Sequence, residues 1–569
     1  MKHNYFLLLV FMFLNLGIYS QIAFQDQAIS LGVNLTSGNT FLGNGLSFFD
    51  FDNDGWDDLT ITTSATDNVR FLKNINGSFV EQTFSGLSFN YETKSVTWVD
   101  YDNDGDNDLF VTSATVGNKL LENLGNMTFQ DITLASGIVT SNVFTYGASW
   151  GDFNNDSFLD VFLNNRTSDL TNMLYENNGD GTFTDVTIQA GIDLNPAFSL
   201  CSAFLDINND GFQDLYVSND KTDYANKMYK NNGDGTFLDI SESSGTNIFI
   251  DAMSVTVGDY NSDGFFDIYV TNNPSGNYLF KNNGNETFTN VAGFTGTRFN
   301  SIGWGASFLD ADNDRDIDLY VSGQLDGSNS GLLSAAYYEN IGSTSFVLNN
   351  SCFPNDNRSS YSNAFGDINN DGFMDLAVSN NNNENVFLWK NVSVNSFNWI
   401  KLKLIGTQSN INAIGTRIEI SVNGAKQYRY TFCGDGYLSQ SSKSIHFGCG
   451  NETVIDYIKI NWPSGIEEVF YDVATNQILT LVEDDDTLQV DEVSNQETYL
   501  FPNPVQNDLH IKSTKKITNI IVMNMLGQIL IKNSFLINNQ LNISALASGH
   551  YILSFTAENS ILKKKFIKN

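Results

Sequence analysis

Seven short acidic segments recur along this chain at intervals of 50, 52, 54, 53, 51 and 57 residues, and that period constrains the fold more than any other feature. Counted from its first Asp, each segment carries Asp or Asn at positions 1, 3, 5 and 9. The first four sets are Asp50, Asp52, Asp54, Asp58; Asp100, Asp102, Asp104, Asp108; Asp152, Asn154, Asp156, Asp160; and Asp206, Asn208, Asp210, Asp214. The last three are Asp259, Asn261, Asp263, Asp267; Asp310, Asp312, Asp314, Asp318; and Asp367, Asn369, Asp371, Asp375. An apolar residue stands two places before each first Asp (Phe48, Trp98, Trp150 and so on) and another directly after each last Asp (Leu59, Leu109, Val161). Each acidic loop therefore joins two strands that bury apolar side chains.

A second signature follows, clearest from Tyr175 to Asp185, where Asn-Asn-Gly-Asp-Gly separates two short alternating runs. It reads as a strand, a hairpin turn and a strand, giving four strands per repeat, the size of one propeller blade. After the seventh loop the chain reaches Trp389 but shows no fourth strand before the pattern changes. Ala23-Phe24-Gln25-Asp26 matches the fourth strand seen at Thr128 to Asp131, so the start of the chain is expected to close the ring. Closure removes exposed edges. The expected fold is all-β: a seven-bladed β-propeller over residues 22–397, then a small β domain and a C-terminal β-sandwich.

Four carboxylate or amide oxygens crowded into one tight loop repel unless a cation joins them. Oxygen donors without His or Cys point to a hard divalent ion, and Ca²⁺ takes 6–8 such oxygens at about 2.3–2.6 Å. Glycine at position 6 (Gly55, Gly105, Gly211, Gly264, Gly372) permits the sharp bend; Ser157 and Arg315 replace it in loops 3 and 6. The position-7 carbonyl and a bidentate last Asp complete the expected ligand set. One Asp-Asn-Asp-Gly is equally well a plain turn; seven in register favour Ca²⁺, up to seven ions in a structural role. Asp at position 3 predicts tightest binding in loops 1 and 2.

These loops resemble the FG-GAP and VCBS repeats of integrin-type propellers, over about residues 40–390, which implies calcium held within the blades. From Trp399 onward, Ile414-Gly-Thr-Arg417, Gly434-Asp-Gly-Tyr-Leu-Ser-Gln440, His446-Phe-Gly448, Trp462-Pro-Ser-Gly465 and Asn476-Gln477 resemble, in order, the ASPIC/UnbV domain of cartilage acidic protein-like chains, placed at 399–483. Gly436–Gln440 reads as a packed turn, with a ligand-facing loop as the less favoured alternative. Residues 484–497 read as an acidic linker. Phe501-Pro-Asn-Pro504, Asn524 to Gln528 and Leu546 to Tyr551 resemble the C-terminal sorting domain of type IX secretion in Bacteroidetes, placed at 498–569. That resemblance implies handling by the secretion machinery, removal of the domain, and release or surface attachment.

Lys2 and the apolar run Phe6 to Ile18 predict a signal peptide over residues 1–20, cut near Ser20–Gln21. No later run is long and apolar enough to span a bilayer, so no integral membrane span remains after its removal. Four cysteines are present, and after export Cys433–Cys449 or Cys201–Cys352 could pair. A formal charge of -36 disfavours nucleic acid as a partner. The four His lie outside the propeller region, which disfavours imidazole chemistry there, and no catalytic or cofactor-binding residue is assigned. The leading expectation is a non-enzymatic binding or adhesion module for glycans or proteins. A calcium-dependent polysaccharide-active enzyme of lyase type is the alternative.

Overall fold

The computed structural model describes residues 22–568 except 66, 140–142, 485–488, 492–497, 502–504, 514–516, 525–528, 534–539, 548 and 558–559, so the leader predicted over 1–20 lies outside the described residues. The chain divides into two compact units, Met1–Asp491 and Glu492–Asn569.

In the first unit, the alternation around each acidic loop produces an antiparallel four-stranded meander. The third shows the pattern: Thr145–Gly151, Asp160–Asn165, Met173–Asn177 and Phe183–Asp185 pair in that order, with the loop between the first two strands. Seven sheets of this kind occur among the described residues, numbered below by their loops. Their first strands are buried on both faces, as Leu46–Phe49 and Val96–Val99 are throughout. The fourth strand of sheet 7 is Phe24–Asp26, paired antiparallel with Phe387–Asn391 through Phe24↔Asn391 and Asp26↔Trp389. Phe24 also stacks on Phe353 with ring centroids 4.3 Å apart, so the closing strand is held by packing as well as by its ladder.

A polar belt joins the sheets. The position-4 Asn of one loop adopts positive φ and donates to the position-6 carbonyl of the next: Asn53 to Gly105 (3.3 Å), Asn103 to Ser157 (2.9 Å), Asn155 to Gly211 (3.1 Å) and Asn209 to Gly264 (3.2 Å). The same bond runs from Asn313 to Gly372 (3.2 Å) and from Asn370 back to Gly55 (3.1 Å), so sheet 7 is latched to sheet 1. Loop 5 has Ser262 at this position.

Residues 398–491 build two further sheets. One orders Ile445–Gly450, Asn398–Ile405, Gln477–Val482 and Gln489–Asp491; the other orders Ala425–Tyr430, Arg417–Val422, Val454–Asn461 and Glu467–Ala474. Ile400, Ile418, Phe447, Ile458 and Leu479 share one buried core between them. Gln489–Asp491, inside the stretch read as linker, is thus a paired strand.

The segment from Cys433 to Ser442 leaves this domain and runs along the first strands of the propeller. Ser439–Gln440 pairs parallel with Leu46 and Ser47 of sheet 1, Cys433 bridges Trp150 of sheet 3, and Gln440 exchanges hydrogen bonds with the Trp98 backbone of sheet 2. The Gly436 amide donates to Val255 of sheet 5, the Ser442 amide to Phe365 of sheet 7, and Tyr437 packs on Trp304 of sheet 6. Tyr437 is fully buried and donates to the Leu42 carbonyl at 2.7 Å. Gly436–Gln440 is therefore a packed turn that fills the propeller axis, not a ligand-facing loop. Cys433 serves this axial packing, Cys449 the core of the C-terminal sheets, and all four cysteines are free thiols, so neither suggested pairing forms.

The second unit comprises a three-stranded sheet (Thr498–Phe501, Asp508–Ser513, Gln540–Asn542) and a four-stranded one (Ile529–Asn533, Ile517–Asn524, Gly549–Ala557, Ser560–Lys568). Leu509, Ile511, Val522, Leu553 and Phe555 form its buried core.

Candidate metal centres

The seven loops share most of their internal geometry. In six of them the position-1 carboxylate accepts the amides of positions 5 and 6, as Asp50 does from Asp54 (3.0 Å) and Gly55 (2.9 Å) and Asp100 from Asp104 (3.1 Å) and Gly105 (2.8 Å). In loop 6 Asp310 accepts only the Arg315 amide (3.0 Å), and the Asp314 amide donates to Asp312 (3.3 Å). Position 5 accepts the position-7 amide, as Asp54 does from Trp56 at 3.0 Å. The position-9 carboxylate accepts the position-2 amide and an amide of the third strand; for Asp58 these come from Phe51 (3.1 Å) and Asn74 (2.7 Å). Position 6 needs a left-handed backbone, with φ 95° at Gly55, and Ser157 (77°) and Arg315 (89°) adopt it despite their side chains.

This bonding leaves carboxylate oxygens converging. Oxygens of Asp50, Asp52 and Asp58 lie within 4.8 Å of one another, as do those of Asp100, Asp102 and Asp108 and those of Asp310, Asp312 and Asp314. In loops 3, 4 and 7 the position-3 amide instead donates to position 5, from Asn154 to Asp156 (3.0 Å), Asn208 to Asp210 (2.9 Å) and Asn369 to Asp371 (2.7 Å).

Burial first, and neighbouring carboxylates after it, raise these acids. Asp50 and Asp259 are pushed up to about 6, Asp100 and Asp152 to about 7, and Asp58 and Asp108 to about 9. Asp160, Asp214, Asp267, Asp318 and Asp375 stand well above the usual carboxylate range for the same first reason. Ionised and alone, such groups are costly. Asp310, only 1% exposed, has Oδ1 without a hydrogen-bond partner, and Asp52 Oδ1 and Asn369 Oδ1 are likewise unpartnered. The donor set and these orphaned oxygens fit a hard metal ion.

The third-strand Asn in this network was not singled out from sequence, although it recurs near the end of every third strand. Asn74, Asn123, Asn177, Asn231, Asn282, Asn340 and Asn391 each present an amide N–H to the position-9 Asp. Their Nδ2 atoms also reach back: Asn177 donates to Tyr101 in the preceding loop at 2.8 Å, and Asn231 to Phe153 at 2.7 Å.

The domain of residues 398–491 touches every loop. Lys443 reaches Asn53, the Ile411 amide donates to Asn103 (2.9 Å), and Ser157 donates to the Gln408 carbonyl. Gln213 donates to the Tyr430 hydroxyl (3.3 Å), Arg417 to Gly264 (3.3 Å), the Gly450 amide to Asn313 (2.9 Å), and Lys401 to Asp367 (2.8 Å). His446 is buried there, its Nε2 3.1 Å from the Gly372 carbonyl, and burial pushes it down to about 3. It is a neutral packing residue.

Family comparison agrees with this architecture. The FG-GAP-like repeat model matches residues 50–111, 100–163, 159–217, 206–270 and 259–321, and the FG-GAP repeat model matches 359–389. The ASPIC and UnbV model matches 406–488, and the secretion system C-terminal sorting domain matches 499–569. The chain thus carries FG-GAP repeats, an ASPIC/UnbV domain and a type IX sorting domain, which marks the protein as secreted or outer-surface, with the sorting domain cleaved. Among curated proteins it is similar to cartilage acidic protein 1 of Xenopus tropicalis, 24% identical over 268 residues, covering 46% of this chain and 41% of that protein's length. Among solved structures, the extracellular domain of a putative hybrid two component system from B. thetaiotaomicron aligns at TM-score 0.40 and 13% identity, covering 96% of this chain and 67% of the other. The WD40 β-propeller domain of Doa1 aligns at TM-score 0.37 and 12% identity, covering 63% and 97%. No helix among the described residues is long and apolar enough to cross a membrane.

Proposed function

We propose that the mature protein is a calcium-stabilised propeller, residues 22–397, that acts outside the cell as a non-enzymatic binding module for glycans or proteins. One observation carries this reading: every acidic loop is covered by the domain that follows the propeller. Carboxylates in such a seam serve as scaffold, and bound Ca²⁺ supplies the charge neutralisation that the buried acids lack. Asp or Asn at positions 1, 3 and 5, the position-7 carbonyl and the last Asp would hold it.

The ligand is then taken on the opposite face, where the first strands begin. Phe41, Phe144 and Phe249 precede first strands there and are 65%, 45% and 55% exposed. The Arg166 guanidinium lies 5.4–5.9 Å from the rings of Phe41, Tyr146 and Phe198 and is tied to Asp220. Exposed aromatic faces beside a fixed polar pair suit stacking with a sugar or an apolar side chain.

The test is a glycan array and a panel of extracellular proteins probed with the mature chain, wild type and Phe41→Ala. Binding lost in the variant supports the module. A wild type that instead depolymerises acidic polysaccharides would replace it with the enzyme reading.

A further inference from the structure

Resting on the calcium reading of the loops, we propose that the residue directly before the third-strand Asn sets the metal affinity of each loop, lysine weakening it and glutamate strengthening it. That position is Lys73, Glu122, Glu176, Lys230, Lys281, Glu339 and Lys390 in sheets 1 to 7. The next residue binds the position-9 Asp through its amide, so the preceding side chain stands beside the loop in a fixed register.

The contacts show both signs. Lys73 pairs with Asp52 and lies 2.9 Å from Asp54, two of the oxygens a cation in loop 1 would use. Lys281 lies 3.4 Å from Asp263 of loop 5, and Lys230 contacts Glu286 while its field reaches Asp210 and Asp214 of loop 4. Lys390 acts in the same sense on Asp371 of loop 7. In loop 3, Asn154 Nδ2 donates to Glu176 at 3.2 Å, so that carboxylate lies at the loop. Glu122 and Glu339 repel Asp102 and Asp314 respectively.

An ammonium beside three carboxylates supplies part of what the metal would supply, and it must be displaced or repelled on binding. A glutamate at the same point deepens the negative potential. Loops 2 and 6 combine Asp at position 3 with Glu, so they rank first; loop 3 follows. Loop 1 has the same four Asp as loop 2 but carries Lys73, so it falls below loop 3 instead of ranking with loop 2. Loops 4, 5 and 7 combine Asn with Lys and rank last.

The decisive experiment is calorimetric Ca²⁺ titration of the chelator-treated mature chain alongside Glu122→Lys and Lys73→Glu. The expected wild-type isotherm has a tight class from loops 2, 3 and 6 and a class about tenfold or more weaker from the rest. Glu122→Lys removes one site from the tight class and Lys73→Glu adds one. Should Glu122→Lys fail to fold, as judged by circular dichroism, the gain in Lys73→Glu decides. Calcium uptake with the same classes in wild type and Lys73→Glu overturns the affinity rule but leaves the calcium reading standing. No uptake by the wild type overturns both.

Discussion

Lys401 of the C-terminal β domain places its ammonium 2.8 Å from the Asp367 carboxylate of loop 7, with side-chain exposures of 2% and 0%. The same ammonium donates to Asn370 Oδ1 at 2.8 Å, and Asn370 is the residue that latches loop 7 to loop 1. One buried cation thus joins domain docking to ring closure.

Removing it should be costly. In the calcium-free protein Lys401→Met strands the buried Asp367 carboxylate, and a loss of about 3–5 kcal/mol is expected in denaturant unfolding. The double variant Lys401→Met with Asp367→Asn should recover part of that loss, because Asp367 is then neutral, while buried Asp57, which the Lys401 charge also favours, keeps the rest.

Calcium removal should lower stability in proportion to occupancy. Ca²⁺ at about 100 times its dissociation constant adds about 2.7 kcal/mol per site, so chelation lowers the melting temperature and added Ca²⁺ restores it. Scanning calorimetry at several Ca²⁺ concentrations checks this; a melting temperature independent of Ca²⁺ contradicts it.

Tyr437 is the largest side chain of the axial segment. Its truncation to Ala leaves a void against Trp304 and frees the Leu42 carbonyl, and about 3–5 kcal/mol of stability should be lost. Tyr437→Phe, which keeps the packing, should cost only about 1 kcal/mol. Urea titration of the two variants separates the contributions.

Glu483 gives a pH signature. Burial raises its carboxyl, but the amides of Ser409, Thr407 and Gln408 and the hydroxyl of Ser464 outweigh this and hold it below the usual range. A depressed folded value means the stabilisation is fully present above the unfolded value of about 4.3 and fades as pH falls through the folded one. Glu483→Gln should therefore destabilise the protein near neutrality and flatten the acid limb below about pH 4.3, as read from denaturation midpoints across pH.

Much of this was legible because the information is local and repeated. Asp50 to Asp58 and its six echoes lie within nine residues each, and the match between Phe24 and Phe129 revealed the closing strand across the length of the ring. Contacts between distant segments carried no such mark. Lys401 sits in a strand whose alternation says only which way it faces, and Asp367 lies 34 residues away. Gly436–Gln440 looks like any glycine-bearing turn until the first strands of the ring surround it. The lysine–glutamate alternation before the third-strand Asn was visible in the letters, but its meaning depends on the hydrogen bond that fixes that Asn beside the loop.

The axial segment also dictates an order of events. Residues 433–442 are synthesised after every strand of the ring, yet they occupy its middle, so a nascent propeller is hollow until its successor domain emerges. The last-made piece acts as the keystone, and a chain cut short before it would present an unfilled arch to every protease on its way out of the cell.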